Sequence, residues 1–96
     1  MSEIIVILEI KDAVLFEAYE NKVLEIMKDH GGQLVRVFNV DVAGVESSPS
    51  NATEVHHLKF PDLQKFKNYR VDYQLLALKE KRKEAIQNTT ILVSKN

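Results

Sequence analysis

Glu3-Ile4-Ile5-Val6-Ile7-Leu8-Glu9-Ile10, closed by Lys11-Asp12, is the stretch on which the arrangement of the whole chain turns. It is β-branched and aliphatic, too short for a helix, and reads as a strand. Successive side chains on a strand point to opposite faces. Ile4, Val6, Leu8 and Ile10 therefore share one face, and Glu3, Ile5, Ile7 and Glu9 the other. Both faces carry large apolar groups, so a sheet built on this strand has two sides to cover.

Working outward, Asp12 is placed to cap a helix, its carboxylate accepting from orphan backbone N–H groups. Phe16, Tyr19, Val23, Ile26 and Met27 then recur at helical spacing, with Glu17, Asn21, Lys22, Lys28 and Asp29 on the wet side. His30-Gly31-Gly32 ends that helix, because glycine enters the left-handed cap conformation without steric cost. Gln33–Val42 reads as a second strand, Gly44–Ala52 as polar turn material around Pro49, and Thr53–Phe60 as a third strand. Pro61-Asp62 opens a second helix with Leu63, Phe66 and Tyr69 on its apolar face. The pattern hesitates at Arg70-Val71-Asp72, where a bend or short break is expected. It resumes through Tyr73, Leu75, Leu76, Leu78, Arg82 and Ile86. Thr89–Ser94 closes the chain as a fourth strand. No internal repeat or linker interrupts the pattern, so residues 1–96 are expected to form one domain.

The order strand–helix–strand–strand–helix–strand predicts an α+β, ferredoxin-like β-α-β-β-α-β fold. Right-handed crossovers place both helices on one face of a four-stranded antiparallel sheet. The other face then presents Ile5, Ile7, Leu34 and Phe38. Leaving these in water forgoes about 1.5–3 kcal/mol for each side chain, and soluble monomers rarely expose such a patch. A second copy packed sheet to sheet by a two-fold axis covers it. A homodimer in the form of a dimeric α/β barrel is therefore expected.

Composition narrows the function. The 96 residues carry 13 Lys and Arg against 14 Asp and Glu, a formal net charge of -1, which gives no electrostatic case for nucleic acid or acidic membranes. There is no cysteine, hence neither a disulfide framework nor a thiolate zinc site. Met-Ser-Glu-Ile-Ile-Val does not resemble a secretory signal, and no apolar run reaches the ~20 residues of a membrane span. A cytoplasmic protein is the expectation. The chain has no nucleotide loop, nucleophile elbow or zinc motif, so no cofactor is expected. Lys79, Lys81, Arg82 and Lys83, interleaved with Glu80 and Glu84, read as a solvated helical face.

Three stretches together resemble one family: Asp12 with Phe16 and Tyr19; His30-Gly31-Gly32 leading to Leu34-Val35-Arg36; and Phe60-Pro61-Asp62 followed by Tyr73-Gln74 and Leu76. The family is domain-of-unknown-function family 1330, within the dimeric α/β-barrel (ferredoxin-like) superfamily, and the likeness spans nearly the whole chain. It implies a subunit whose sheet joins its mate's in a shared barrel, and no established activity. The chain departs from the family pattern where Val37-Phe38 follow the arginine in place of glycines, and where Arg70-Val71-Asp72 precedes the tyrosine.

Arg36 lies mid-strand among apolar neighbours, on the face assigned to the barrel interior. A guanidinium there needs an anion, either a ligand held bidentately or a carboxylate of the protein such as Glu9. His56 and His57 are adjacent on a strand, point to opposite faces and cannot chelate one metal together. His57 is placed on the barrel side, where an imidazole suits acid–base work. Glu9, Arg36 and His57 are accordingly the candidate ligand-binding residues, with His57 the candidate base and no metal site. His30 reads as a helix-terminal residue, and Tyr19 and Tyr73 as core aromatics with one wet end. The function expected is binding of a small anionic organic ligand by a homodimer. The alternative is a cofactor-independent enzyme, monooxygenase- or isomerase-like, on the same fold.

Overall fold

The computed structural model describes residues 1–40 and 52–94. Along the chain run β1 (Ser2–Ile10), α1 (Ala13–Asp29), β2 (Gln33–Val40), β3 (Ala52–Phe60), α2 (Leu63–Arg70), α3 (Tyr73–Leu76), α4 (Lys79–Ala85) and β4 (Ile86–Val93). The strands form one antiparallel sheet in the order β2-β3-β1-β4. This is the expected ferredoxin-like arrangement, with β1 and β3 central. The turn expected at Gly44–Ala52, apart from Ala52 itself, lies outside the described residues, as do Asp41 and Val42.

The helices pack on the face that carries Ile4, Leu8, Ile10, Leu58 and Phe60. Phe16, Tyr19, Val23, Ile26 and Met27 of α1, with Phe66 and Tyr69 of α2, complete one buried cluster. Phe60, Phe66 and Tyr69 form its aromatic centre, with ring centroids 5.3 to 6.3 Å apart. The Cα envelope measures 38 × 30 × 16 Å. Its short dimension holds one sheet and one helical layer, which leaves the second sheet face open.

Local chemistry explains where the elements begin and end. Asp12 Oδ1 accepts from Leu15 N at 2.9 Å, and Asp62 Oδ1 accepts from Lys65 N at 2.8 Å, so α1 and α2 each have an N-cap. Pro61 thus stands just before the cap. At the other end of α1, Gly32 N donates to Met27 O and Gly31 N to Lys28 O, at 2.9 and 3.0 Å. That pair of bonds is a Schellman motif, and it requires the positive φ of 75° that Gly31 adopts.

Three expectations need correction. The second helix is not one element with a single break. Val71 and Asp72 separate α2 from α3, as expected, but Ala77 and Leu78 separate α3 from α4 as well. Ile86 belongs to β4 rather than to a helix, because its backbone turns extended at φ -122°, ψ 127°. Finally, Leu34 does not share a face with Arg36 and Phe38. Leu34 pairs with Leu58 and Arg36 with His57, so Val35 is the extra residue of a β-bulge. The bulge reverses the alternation: Leu34 packs against the core, while Arg36 and Phe38 face the open side.

Candidate functional site

Register decides which of the expected site residues meet. Arg36 and His57 are cross-strand partners on the open face. The Arg36 guanidinium lies 4.4 Å from the Phe38 ring centroid, a cation–π stack. Glu9 does not join them. Ile5 is the β1 partner of His57, whereas Glu9 pairs with Thr53, four positions further along β1. At the rise of a strand that is about 13 Å away. The carboxylate that meets His57 is Glu3, whose Oε1 is 3.1 Å from Nε2, and Lys59 Nζ approaches the same oxygen at 3.8 Å. Ile5, Ile7, Val55, Phe38 and Leu92 surround this polar row on the open face.

A cavity of about 360 Å³ lies on the opposite side, between sheet and helices. That is within the usual size of small-molecule sites. Its floor is Val6 and Leu8 of β1, His56 and Leu58 of β3, and Thr89 and Ile91 of β4. One wall is the Tyr19–Met27 face of α1, and the other is Phe66, Tyr69 and Leu75. Exposed Arg70, Lys79 and Arg82 stand at its margin. Among the described residues none of these three cations lies within ion-pair distance of a carboxylate.

His56 is the polar centre of this cavity and is only 4% exposed. Its Nε2 is 2.9 Å from Glu54 Oε1 and its Nδ1 is 3.5 Å from Glu20 Oε1. An ionised carboxylate only accepts hydrogen bonds, so a carboxylate facing each ring nitrogen favours the protonated form of the ring. The energetics agree. Burial opposes the charge, but the contacts with Glu20 and Glu54 outweigh it and hold the imidazole above its ordinary value. The two carboxylates flank the ring on either side instead of converging, and among the described residues no group is placed to hold a metal ion.

Three further polar groups line the same space. Burial raises the Tyr19 and Tyr69 phenols above the ordinary tyrosine range, with Glu20 adding to both, so each remains a hydrogen-bond donor. Thr89 Oγ1 is closed off from solvent and has no hydrogen-bond partner among the described residues. A buried hydroxyl in that position calls for a polar atom to bond.

His30 and Tyr73 fall outside the cavity. His30 Nε2 is 2.7 Å from Asp72 Oδ2, while Asp72 Oδ1 accepts from Gln74 N at 2.7 Å. One carboxylate thus caps α3 and ties it to the end of α1, and the His30 bond holds the Asp72 carboxyl below its usual range. Tyr73, expected as a core aromatic with one wet end, is instead 78% exposed.

Sequence reasoning overlooked the Glu20–His56–Glu54 row. A signal for it exists: His56 shares its strand face with Leu58 and Phe60, and a polar residue in a run of core positions demands partners. Glu54 falls on that face too. Glu20 carried no signal, since a glutamate on the flank of an amphipathic helix reads as solvated.

Among solved structures, a protein of unknown function from Rhodopseudomonas palustris matches with a TM-score of 0.77 at 13% identity, over 99% of this chain and 82% of that one. A dabb family protein with a ferredoxin-like fold from Mesorhizobium loti matches at 0.68 and 9% identity, over 99% and 95%. A cofactor-independent oxygenase from Streptomyces nogalater matches at 0.62 and 9% identity, over 100% and 96%. At such identities the likeness is one of fold. No curated protein matches the chain in sequence. Residues 4–96 match the family described as Domain of unknown function (DUF1330), and the chain belongs to it.

Proposed function

We propose that this DUF1330 member is a small-molecule-binding homodimer whose subunits each hold an organic anion with an apolar body between sheet and helices. The observation that carries this reading is the cavity of about 360 Å³ with aliphatic and aromatic walls, a buried histidine between two carboxylates, and three unpaired cations at its margin among the described residues. Apolar walls reward a hydrocarbon or aromatic body, and the cations favour a carboxylate or similar group at the margin. In this reading Arg36, His57 and Glu3 belong to the interface between copies, where they give polar order to an otherwise aliphatic sheet face.

Calorimetry with phenylacetate and with its neutral isostere phenylacetamide tests the assignment. Phenylacetate is expected to bind, more weakly as salt rises, with phenylacetamide at least tenfold weaker. Arg82→Ala should cost phenylacetate about tenfold, the loss of one charge-assisted contact of ~1.5 kcal/mol. Equal affinity for the two compounds, or no heat with either at millimolar concentration, would overturn the reading.

The second reading is an enzyme that works without a metal or cofactor, on the likeness in fold to the Streptomyces nogalater oxygenase. Fold alone is a weak warrant. What favours the reading in this chain is the pairing of a carboxylate with a buried histidine beside two phenols that burial keeps protonated.

A further inference from the structure

We infer that the Glu20–His56–Glu54 row makes the cavity a proton-transfer site acting on carbon acids, with 2-oxo acids of aromatic or branched aliphatic body as its substrate class. The inference rests on the cavity being the ligand site, and it adds a chemistry to that assignment. Glu20 lines the cavity, with one oxygen 3.5 Å from His56 Nδ1. A carboxylate among apolar walls is costly without a compensating partner, and His56, whose protonated form Glu20 and Glu54 favour, stands beside it. Glu54 fixes the far nitrogen of the ring at 2.9 Å, so the imidazole is held from both sides. Glu20 is then the general base, and His56 and Glu54 are positioning residues. Were His56 itself the base, one ring nitrogen would face the ligand; instead Nε2 is bonded to Glu54 and Nδ1 faces Glu20.

The substrate class follows from the groups at hand. Arg70 and Arg82 at the margin suit a carboxylate. A carbonyl beside that carboxylate acidifies the next C–H and offers an oxygen for a phenol to bond, and Tyr19 remains protonated on the same wall. In the reaction Glu20 takes a proton from C3, the C3–H electron pair becomes the C2=C3 double bond, and the carbonyl oxygen takes the Tyr19 proton. Glu20 then gives its proton to water, and the Tyr19 phenolate takes one back from water. The net change is ketone to enol, with no oxidant, reductant or co-reactant, and the reverse step delivers a solvent-derived proton to C3.

Phenylpyruvate in D2O, followed by proton NMR, tests this. The native protein should exchange the benzylic protons faster than buffer, and phenylacetate should suppress the exchange competitively. Glu20→Gln should slow exchange at least 100-fold while phenylacetate still binds, at least as tightly because a negative charge has left the cavity, and Glu20→Asp should recover part of the rate. If phenylacetate binds but phenylpyruvate exchanges at the buffer rate, the proton-transfer inference falls and the binding reading stands. Exchange that phenylacetate does not suppress, or that Glu20→Gln leaves unchanged, also overturns it. If phenylacetate does not bind, both fall. The suppression experiment needs only the native chain, so it decides the matter even where the variants fail to fold.

Discussion

His56 concentrates the electrostatics of the molecule in one ring, and its effect on stability has a definite sign. A histidine whose pKa is raised by folding binds its proton more tightly in the native state. Its contribution is fully present below the unfolded value of about 6.5 and is lost as pH rises through the elevated folded value. Asp72 works in the opposite window. Its lowered carboxyl stabilises the fold above the ordinary 3.8 and ceases to do so as pH falls through the folded value. Thermal melts should therefore show a midpoint that is highest in mildly acidic buffer and falls on the alkaline side. His56→Gln should flatten the alkaline limb and cost about 1–3 kcal/mol, since Glu20 and Glu54 lose their counter-charge. An alkaline limb unchanged in that variant would remove His56 as its source.

At the scale of elements, the turn from α1 to β2 depends on two adjacent glycines for different reasons. Gly31 is needed for its positive φ, and a Cβ there would also meet Pro61 Cγ at 2.8 Å. Gly32 is needed for space, because a Cβ would reach the Phe60 ring at 2.6 Å. Gly31→Ala is expected to lose about 1–2 kcal/mol by urea denaturation, the left-handed penalty of an L-residue. No loss would mean that the turn relaxes elsewhere. The same comparison shows what a sequence can convey about this fold. The Asp12 cap, the His30-Gly31-Gly32 stop and the break at Arg70-Val71-Asp72 are local signals and could be read directly. The bulge at Val35 could not be, because it exists only in the pairing of β2 with β3 and reverses Leu34 against simple alternation. Nor could the start of β4 at Ile86, which is set by its pairing with Ile10. The cavity was illegible for the same reason: Glu20, His56, Thr89 and Arg82 sit on four elements and meet only through tertiary packing.

For the whole molecule the proposed homodimer puts association on the open sheet face. Phe38 is 41% and Leu92 51% exposed there, and Ile5, Ile7 and Val55 are half-buried. A two-fold copy laid on this face buries all of them at once. Sedimentation equilibrium at micromolar concentration is expected to give a dimer, and Ile7→Asp with Phe38→Asp together should give a folded monomer. A native monomer, or a dimer that survives both substitutions, would rule the interface out. Irregularity at the sheet margins bears on what that run shows above the dimer. The outer strands β2 and β4 each depart from regular pairing with their inner neighbour, at Leu34/Arg36 and at Glu9/Ile10. A bulged margin bends away from the straight ladder that a further strand needs as a template. Two copies joined face to face as proposed would therefore make a closed pair with poor ends for strand addition, and the dimer peak should be the heaviest species present.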